Sequence, residues 1–534
     1  MKMIPMKRIT LLLLGILAFN NSSFAQATTP SSRLSLSQEM KEPANSTIND
    51  YLGEDEDHFY VLRKKIKSAG TSMFAGGVWT NEGWILESYT NELTLKMRQE
   101  IIPSVNGKPA ILDNVRYLDG KLFAYILYVN REGNQTELYF QPIDKKTLTL
   151  SGTPKKIISI PYETRGRQGD FRYEISRNKM TLAIIASVHD DKDAQEQFKV
   201  TVFNGTMTKL WQKEITLPYE SVLFEKENLF LDNNGNIYLS GRVYNEKAKE
   251  RKKGMANYSY VILAYRDLGE TQKEYPISLK GEFITDLGFN ITDDDKLAAA
   301  GFYSTQGTYS IKGICFTLIN ATSGAVIKQG SQAFDASFLE IFSKQQLDKQ
   351  DQELYRYSLD EIIIRSDGGA LLLAEQFYVR EELTTTRYPD GRTSTTTTYY
   401  YYYNDVMAIN VNPDMTIEWA TKIPKRQVTS NDGGYYSSYA SAVSGDKIYL
   451  LFNDHPDNLT VTDPSRLAKY SGVKNSVATL VTISSDGKWK KSLLFSNKIQ
   501  GEILRPKICE QVSANHFFLY GEKGKNYIVG RAEL

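Results

Sequence analysis

The chain has 534 residues, 41% of them hydrophobic and 12% aromatic, with 64 Lys and Arg against 63 Asp and Glu, a net charge of +1. That balance argues against a charge-driven nucleic-acid binder. Only four histidines and two cysteines argue against a His-rich metal centre, a Ser-His-Asp triad and a disulfide scaffold.

Length alone would suggest three or four domains, but 34 tyrosines and many Thr, Val and Ile favour strands. Residues 1–25 read as a secretory signal: Lys2, Lys7 and Arg8, an apolar run over 9–19, then small residues before Gln26. The apolar run is about half of the roughly 20 residues a span needs, so no transmembrane segment is expected once the signal is removed. No cysteine follows it to carry a lipid, and losing three basic residues leaves a net charge of −2. Residues 26–57 are Ser/Thr/Pro/Asn-rich, then acidic (Glu54, Asp55, Glu56, Asp57), and are expected to form a flexible leader.

From residue 58 onward one unit recurs: a polar Asn/Asp/Gly turn running into an apolar strand, as in LDNNGNIYLSG (231–241). It recurs at 117–127, 176–186, 292–301, 365–374, 443–452 and 512–521. The first strand residues, Leu122, Met180, Ile237, Leu297, Ala370, Ile448 and Phe517, lie 57 to 78 residues apart. A second series of turns interleaves, near residues 91, 145, 205, 268, 321, 413 and 486. Two hairpins per period predict an all-β, seven-bladed β-propeller of four-stranded blades over 58–534. The second series starts first and the first ends last, so the terminal strands are expected to complete one blade and close the ring. Two further strands, 59–65 and 527–534, have no place in this scheme. Cys315 and Cys509 fall in different blades and are expected to be buried and unpaired.

Calling the strands of a blade A to D from the axis outward, the turns are short at A-to-B and C-to-D. The long insertions fall in D-to-A and B-to-C connections, which open on one face: 162–170, 244–256 with its basic run, 334–357 with helical apolar spacing, 378–398, 424–439 and 453–472. The biased segment 384–398 ahead of Tyr399–403 reads as a mobile flap leading into a strand.

AEQFYV (374–379), YYYYYNDVMAINV (399–411), EWATKIPKRQ (418–427) and NDGGYYSSYA (431–440) resemble an uncharacterised family of exported propeller-like proteins from Bacteroidetes. The resemblance implies a location beyond the cytoplasm, in the periplasm, at the outer-membrane surface or outside the cell. It implies no activity.

The most site-like cluster is Lys425, Arg426, Asn431, Asp432, Tyr435, Tyr436 and Tyr439 on a D-to-A loop, with Arg165, Arg167 and Asp170 arriving from another blade. Arg forks beside aromatic rings suit a peptide carboxylate or a sugar acid. Glu375 adds a carboxylate, and NDHPD (453–457) offers Asp454 and His455. The competing reading is a polar network that ties loops together. The Asp/Asn-rich turns at 232–236 and 292–296 lack calcium-loop spacing, so no metal and no cofactor is expected. The composite expectation is a monomeric, non-catalytic exported propeller that binds a protein, peptide or glycan, or scaffolds an envelope assembly. The alternative is a carbohydrate-active enzyme using paired carboxylates, with Glu375, Asp432 and Asp454 as candidates.

Overall fold

The computed structural model describes residues 34–72, 77–161, 170–187, 194–246, 251–252, 255–279, 281–292, 294–342, 353–365, 367–461, 464–472, 475–497 and 501–534. They are dominated by eight antiparallel sheets of at least four strands each. The expected count was seven. Numbered along the chain, sheet 1 holds Ser46–Glu54, His58–Ser72, Gly77–Thr90 and Leu95–Ile101. Sheet 2 begins at Ile111–Leu118, sheet 3 at Asp170–Ile175, sheet 4 at Phe224–Leu231 and sheet 5 at Phe283–Ile291. Sheet 6 holds Tyr357–Ile364, Ala370–Arg387, Thr393–Val411 and Ile417–Ile423, and sheet 7 begins at Ala440–Ser444. Sheet 8 is built from Glu510–Ser513, His516–Lys523 and Asn526–Glu533, with Leu34–Leu36 and Met40–Lys41 along its far edge.

All fourteen expected hairpin turns join the strands assigned to them. The miscount came from the two ends. Residues 54–57, read as acidic leader, form the first hairpin turn of sheet 1. There Asp55 accepts from the backbone N–H of His58 at 2.9 Å and of Asp57 at 3.2 Å, and from the Tyr60 hydroxyl at 2.9 Å. Sheet 1 is therefore complete on its own and takes up the unplaced strand at 59–65. The other unplaced strand, near 527–534, is the third of sheet 8. Its fourth comes from residues 34–41, so this part of the expected leader is ordered by pairing Leu34 with Ala532 and Met40 with Tyr527.

Every sheet is buried on both faces, which explains the near-continuous apolar runs in the second strands. In His58–Ser72, Tyr60 and Leu62 pack against sheet 2, whereas Phe59 and Val61 pack against Phe518, Tyr520 and Val529 of sheet 8. The side-chain period of two deals alternate residues to alternate neighbours. The same division sends Leu371 and Leu373 to sheet 7, and Ala370, Leu372 and Ala374 to sheet 5. Eight such cores each join two sheets consecutive in the chain, one of them joining sheet 8 to sheet 1. Among the described residues no sheet closes on itself.

Cys315 lies in sheet 5 and Cys509 next to sheet 8; both are buried free thiols. The segment 384–398, expected as a flap, is a regular two-stranded ladder that carries the central hairpin of sheet 6 outward from the Phe377–Tyr403 pair to the Arg387–Thr393 pair. Of the insertion with helical spacing, Ala336–Leu339 forms one helical turn capped by Asp335. Among the described residues no helix is long and apolar enough to cross a membrane.

Candidate functional site

The first strand of nearly every sheet carries an acidic residue: Asp50, Asp113, Glu174, Glu227, Asp286 and Asp360 within their strands and Glu510 at the start of its own, with Ser441 the polar residue of sheet 7. The first strands of sheets 4 to 8 border two adjoining cavities. One, of about 390 Å³, is lined by Glu227, Asp286, Asp360 and Glu361 of sheets 4 to 6. The other, of about 380 Å³, is lined by Asp360, Glu361, Tyr439, Ser441, Lys507 and Glu510 of sheets 6 to 8.

The carboxyl groups sit among many protein atoms, Asp360 and Glu510 still open to solvent and the others half-buried. Burial pushes Glu174, Glu227, Asp360 and Glu510 up to about 7 and Asp286 up to about 6, and it raises Asp50. Charge repulsion adds to it, from Glu375 on Asp360, from Asp286 on Glu227 and from Asp50 on Glu510. Opposing cations are Arg116, 3.8 Å from Asp50, and Arg242, which bonds Glu227 at 2.7 Å. Sequence reading missed this set because its members are spread one strand to a sheet along the whole chain. The available signal was one acidic residue interrupting the apolar pattern at similar depth in successive repeats.

Beside the second cavity lies the expected loop, 424–439. Lys425 is 1% exposed; its ammonium donates to Glu375, to Gln427 Oε1 at 3.1 Å and to the Tyr403 carbonyl at 3.2 Å. Glu375 also accepts from Ser438 at 2.7 Å. The next residue, Tyr439, donates to Asp360 at 2.9 Å. Gln427 reaches the Asn453 carbonyl at 2.7 Å, and Asn453 donates to the carbonyls of Tyr436 and Leu504. Gly434 has φ +65°, and a Cβ there would sit 2.3 Å from the Tyr403 ring. The loop is thus pinned by buried amides and one buried ion pair joining sheets 6, 7 and 8.

The remaining expected residues hold local structure. Arg426 is exposed and donates to the Leu467 carbonyl at 3.2 Å. Asn431 clamps Tyr399 through two 2.9 Å bonds, and Asp432 accepts from Thr429 and the Gly434 N–H. Tyr435 and Tyr436 are half-buried and donate to Glu522 at 3.2 and 3.1 Å; Arg505 stacks on Tyr435 at 4.0 Å. Asp454 is sealed against Lys491 at 2.9 Å and accepts from Asn458 at 2.6 Å. His455 caps the short helical turn Pro456–Leu459 and contacts Asn475 at 2.6 Å. Arg165 and Arg167 lie outside the described residues, as does most of the basic run 247–253. Asp170 begins the first strand of sheet 3, its backbone paired with Ser187.

Among the described residues no cluster of His, Cys, Asp or Glu is arranged to hold a metal ion. The 232–236 turn uses its Asp to accept from Asn234 and Asn236, as a hairpin turn does. It borders a third cavity, of about 490 Å³, with Arg177, Arg266 and Asp295, on the face of the short turns.

No family model matches the chain, and no curated protein matches it in sequence. Solved structures to which it is similar include the β-propeller domain of the Trilobed protease from Pyrococcus furiosus, at 10% identity and TM-score 0.33, covering 88% of this chain and 97% of that one. The WD40 domain of SCAP from fission yeast gives 10% identity and TM-score 0.36 over 95% and 98%. A member of the DUF4221 family from Bacteroides vulgatus gives 12% identity and TM-score 0.27 over 74% and 97%.

Proposed function

We propose that the protein is an exported, non-catalytic eight-bladed β-propeller, its ring shut where residues 34–41 join sheet 8, that binds a cationic segment of a protein or peptide at its acidic axis. Four-stranded sheets sharing both faces with their neighbours, with one core joining last to first, are what that architecture requires. The observation that carries the binding reading is the convergence of three carboxylates, Asp360, Glu361 and Glu510, against a single lysine, Lys507, on one cavity beside the loop 424–439. Burial first, and neighbouring carboxylates second, hold Asp360 and Glu510 above their usual range, and an incoming ammonium or guanidinium favours their ionised forms. This inverts the ligand charge expected from the sequence. Lys425, the cation meant to greet an acid, is consumed by Glu375.

The test is titration of Lys- and Arg-rich peptides against the protein, with glycans in parallel. The reading expects salt-sensitive binding of the basic peptides, weakened about tenfold in D360N/E510Q, a loss of about 1.4 kcal/mol. Binding that is absent, confined to glycans or indifferent to these substitutions overturns it.

One arrangement favours a second reading, catalysis on glycans by paired carboxylates. Ser438 and Tyr439 are adjacent, and they hold Glu375 and Asp360 respectively. One of the two carboxyls is ion-paired and the other is raised to about 7, the division of labour of a base or nucleophile and an acid. Of the candidates named from sequence, Asp454 is locked to Lys491 and Asp432 caps a turn. Hydrolysis of activated aryl glycosides that disappears in D360N would establish this reading, and equal background rates would dismiss it.

A further inference from the structure

The arm of sheet 6 has an open edge. Beyond the Tyr357–Gln376 pair the strand Ala370–Arg387 keeps its partner Thr393–Val411 on one side, and among the described residues no strand pairs with its other side. Side chains 380–398 are exposed on both faces apart from two half-buried positions near the base, Thr397 and Thr398, and Leu383 is 65% exposed. A long, flat edge rich in β-branched residues is a template for another strand, and proteins normally guard such edges with Lys, Pro or a bulge. Here the ladder runs without a bulge from Phe377 to Arg387, the nearest proline is Pro389 in the turn, and the charges that guard the strand, Arg380, Glu381, Glu382 and Arg387, are of both signs.

Hydrogen-bond direction alternates along a strand, and it fixes which residues face the open edge. Phe377 donates outward to the Arg356 carbonyl, and Tyr388 donates inward to the Arg392 carbonyl. With unbroken register between them, odd-numbered residues point outward, so Glu381, Leu383, Thr385 and Arg387 present their N–H and C=O groups to the free side. In an antiparallel self-pairing about a two-fold axis, odd residues must meet odd residues, so the axis passes through a residue and not between two. Centred on Leu383, Arg387 meets Val379; centred on Thr385, Glu381 meets Pro389, which has no N–H. Centred on Thr384, Glu381 faces Arg387 twice, Leu383 faces Thr385 twice, and Arg380 falls opposite Tyr388. This register joins all four outward residues in about eight backbone hydrogen bonds and places both charges opposite their complements.

We propose that the arm pairs edge to edge with the arm of a second copy of this chain, antiparallel and centred on Thr384, to form a four-stranded intermolecular sheet. The partner is argued from this charge and hydrogen-bond complementarity, which any other strand would have to reproduce. It replaces the monomer expected from the sequence.

The experiment is sedimentation and disulfide trapping on the full chain. Thr384 would be a non-hydrogen-bonded pair with its own copy, with Cβ atoms about 4.5–5.5 Å apart, within disulfide reach. T384C should therefore give a covalent dimer on mild oxidation, without interference from the buried Cys315 and Cys509. T386C should not, because its two copies would lie about 13 Å apart along the strands. The wild-type protein should sediment at twice the chain mass. E381R alone and R387E alone should each sediment as monomers, and mixing the two should restore the dimer. All these positions are exposed, so folding is not at stake. A wild-type monomer at about 100 µM, failure of the mixed pair to associate, or crosslinking of T386C as readily as T384C overturns the proposal. Monomer behaviour together with capture of a foreign strand on the same edge overturns it equally.

Discussion

Arg63 and Glu87 face each other across 2.8 Å on adjacent strands of sheet 1, with neither side chain exposed to solvent. Around them gather Arg98, 2.6 Å from the other oxygen of Glu87, and the hydroxyl of Tyr89 at 2.5 Å. Tyr89 reaches Tyr527 of sheet 8 at 2.8 Å, and the Arg63 guanidinium lies 4.1 Å from the Tyr527 ring. The pair therefore serves the junction between sheets 1 and 8 as well as its own sheet. Removing one partner of a buried pair costs about 3–5 kcal/mol where the survivor is left alone, and the lower end of that range applies here, because Arg98 stays beside Glu87 and Glu42 stays 3.1 Å from Arg63. Arg63→Ala and Glu87→Ala should each lower stability by about that amount in denaturant titrations, and the double variant should lose less than the sum.

Lys425 and Arg426 are neighbours with opposite fates. Lys425 is sealed against Glu375 and Arg426 stands in solvent. Lys425→Ala should cost about 3–5 kcal/mol by stranding the Glu375 charge, whereas Arg426→Ala should change stability by no more than about 0.5 kcal/mol. Thermal melts of the two variants side by side decide the matter; comparable losses would mean that the loop is held by something other than the buried pair.

The cavity carboxyls give the protein a pH signature. Their folded values of about 6 to 7 stand above ordinary values of 3.8 for Asp and 4.5 for Glu. The folded state thus binds more protons than the unfolded state between about pH 4 and 7, and stability falls with rising pH wherever that holds. Their contribution is complete below about pH 4 and is lost as pH rises through 7. Tm measured from pH 5 to 8 should decline, and the decline should be shallower in D360N/E510Q. Parallel curves for the two proteins would show that these groups do not set it.

Burial pushes both thiols, Cys315 and Cys509, up to about 12, so neither forms a thiolate at neutral pH. The native protein should not react with a thiol-specific chromogenic reagent, and both groups should titrate at once in denaturant. Rapid labelling of either in the native state would place it on a segment that opens locally.

The hairpins were readable because their chemistry is local. Asp, Asn and Gly at fixed offsets before an apolar run mark every turn that was expected, and all of them join strands in the structure. The count of eight was hidden because the first turn of sheet 1, 54–57, uses carboxylates that look solvated in sequence and are tied to His58, Tyr60 and Lys145 in space. The loop residues Lys425, Tyr435 and Tyr439 were found by composition. Their partners, Glu375, Glu522 and Asp360, are 50 to 87 residues away, and no local pattern announces such pairings.

Because Leu34 pairs with Ala532, the first described strand cannot find its place until the strand 526–533 exists. Seven sheets draw their strands from contiguous chain and can assemble in order during synthesis, each neighbour covering the last. The eighth needs both ends at once, a loop closure spanning nearly the whole polypeptide, so the joining of sheet 8 to residues 34–41 should be the final and slowest step of assembly. Until then the apolar edges of sheets 1 and 8 stand open like an unfastened collar. Removing residues 525–534 would leave that seam without its covering strand, and limited proteolysis should then enter there first.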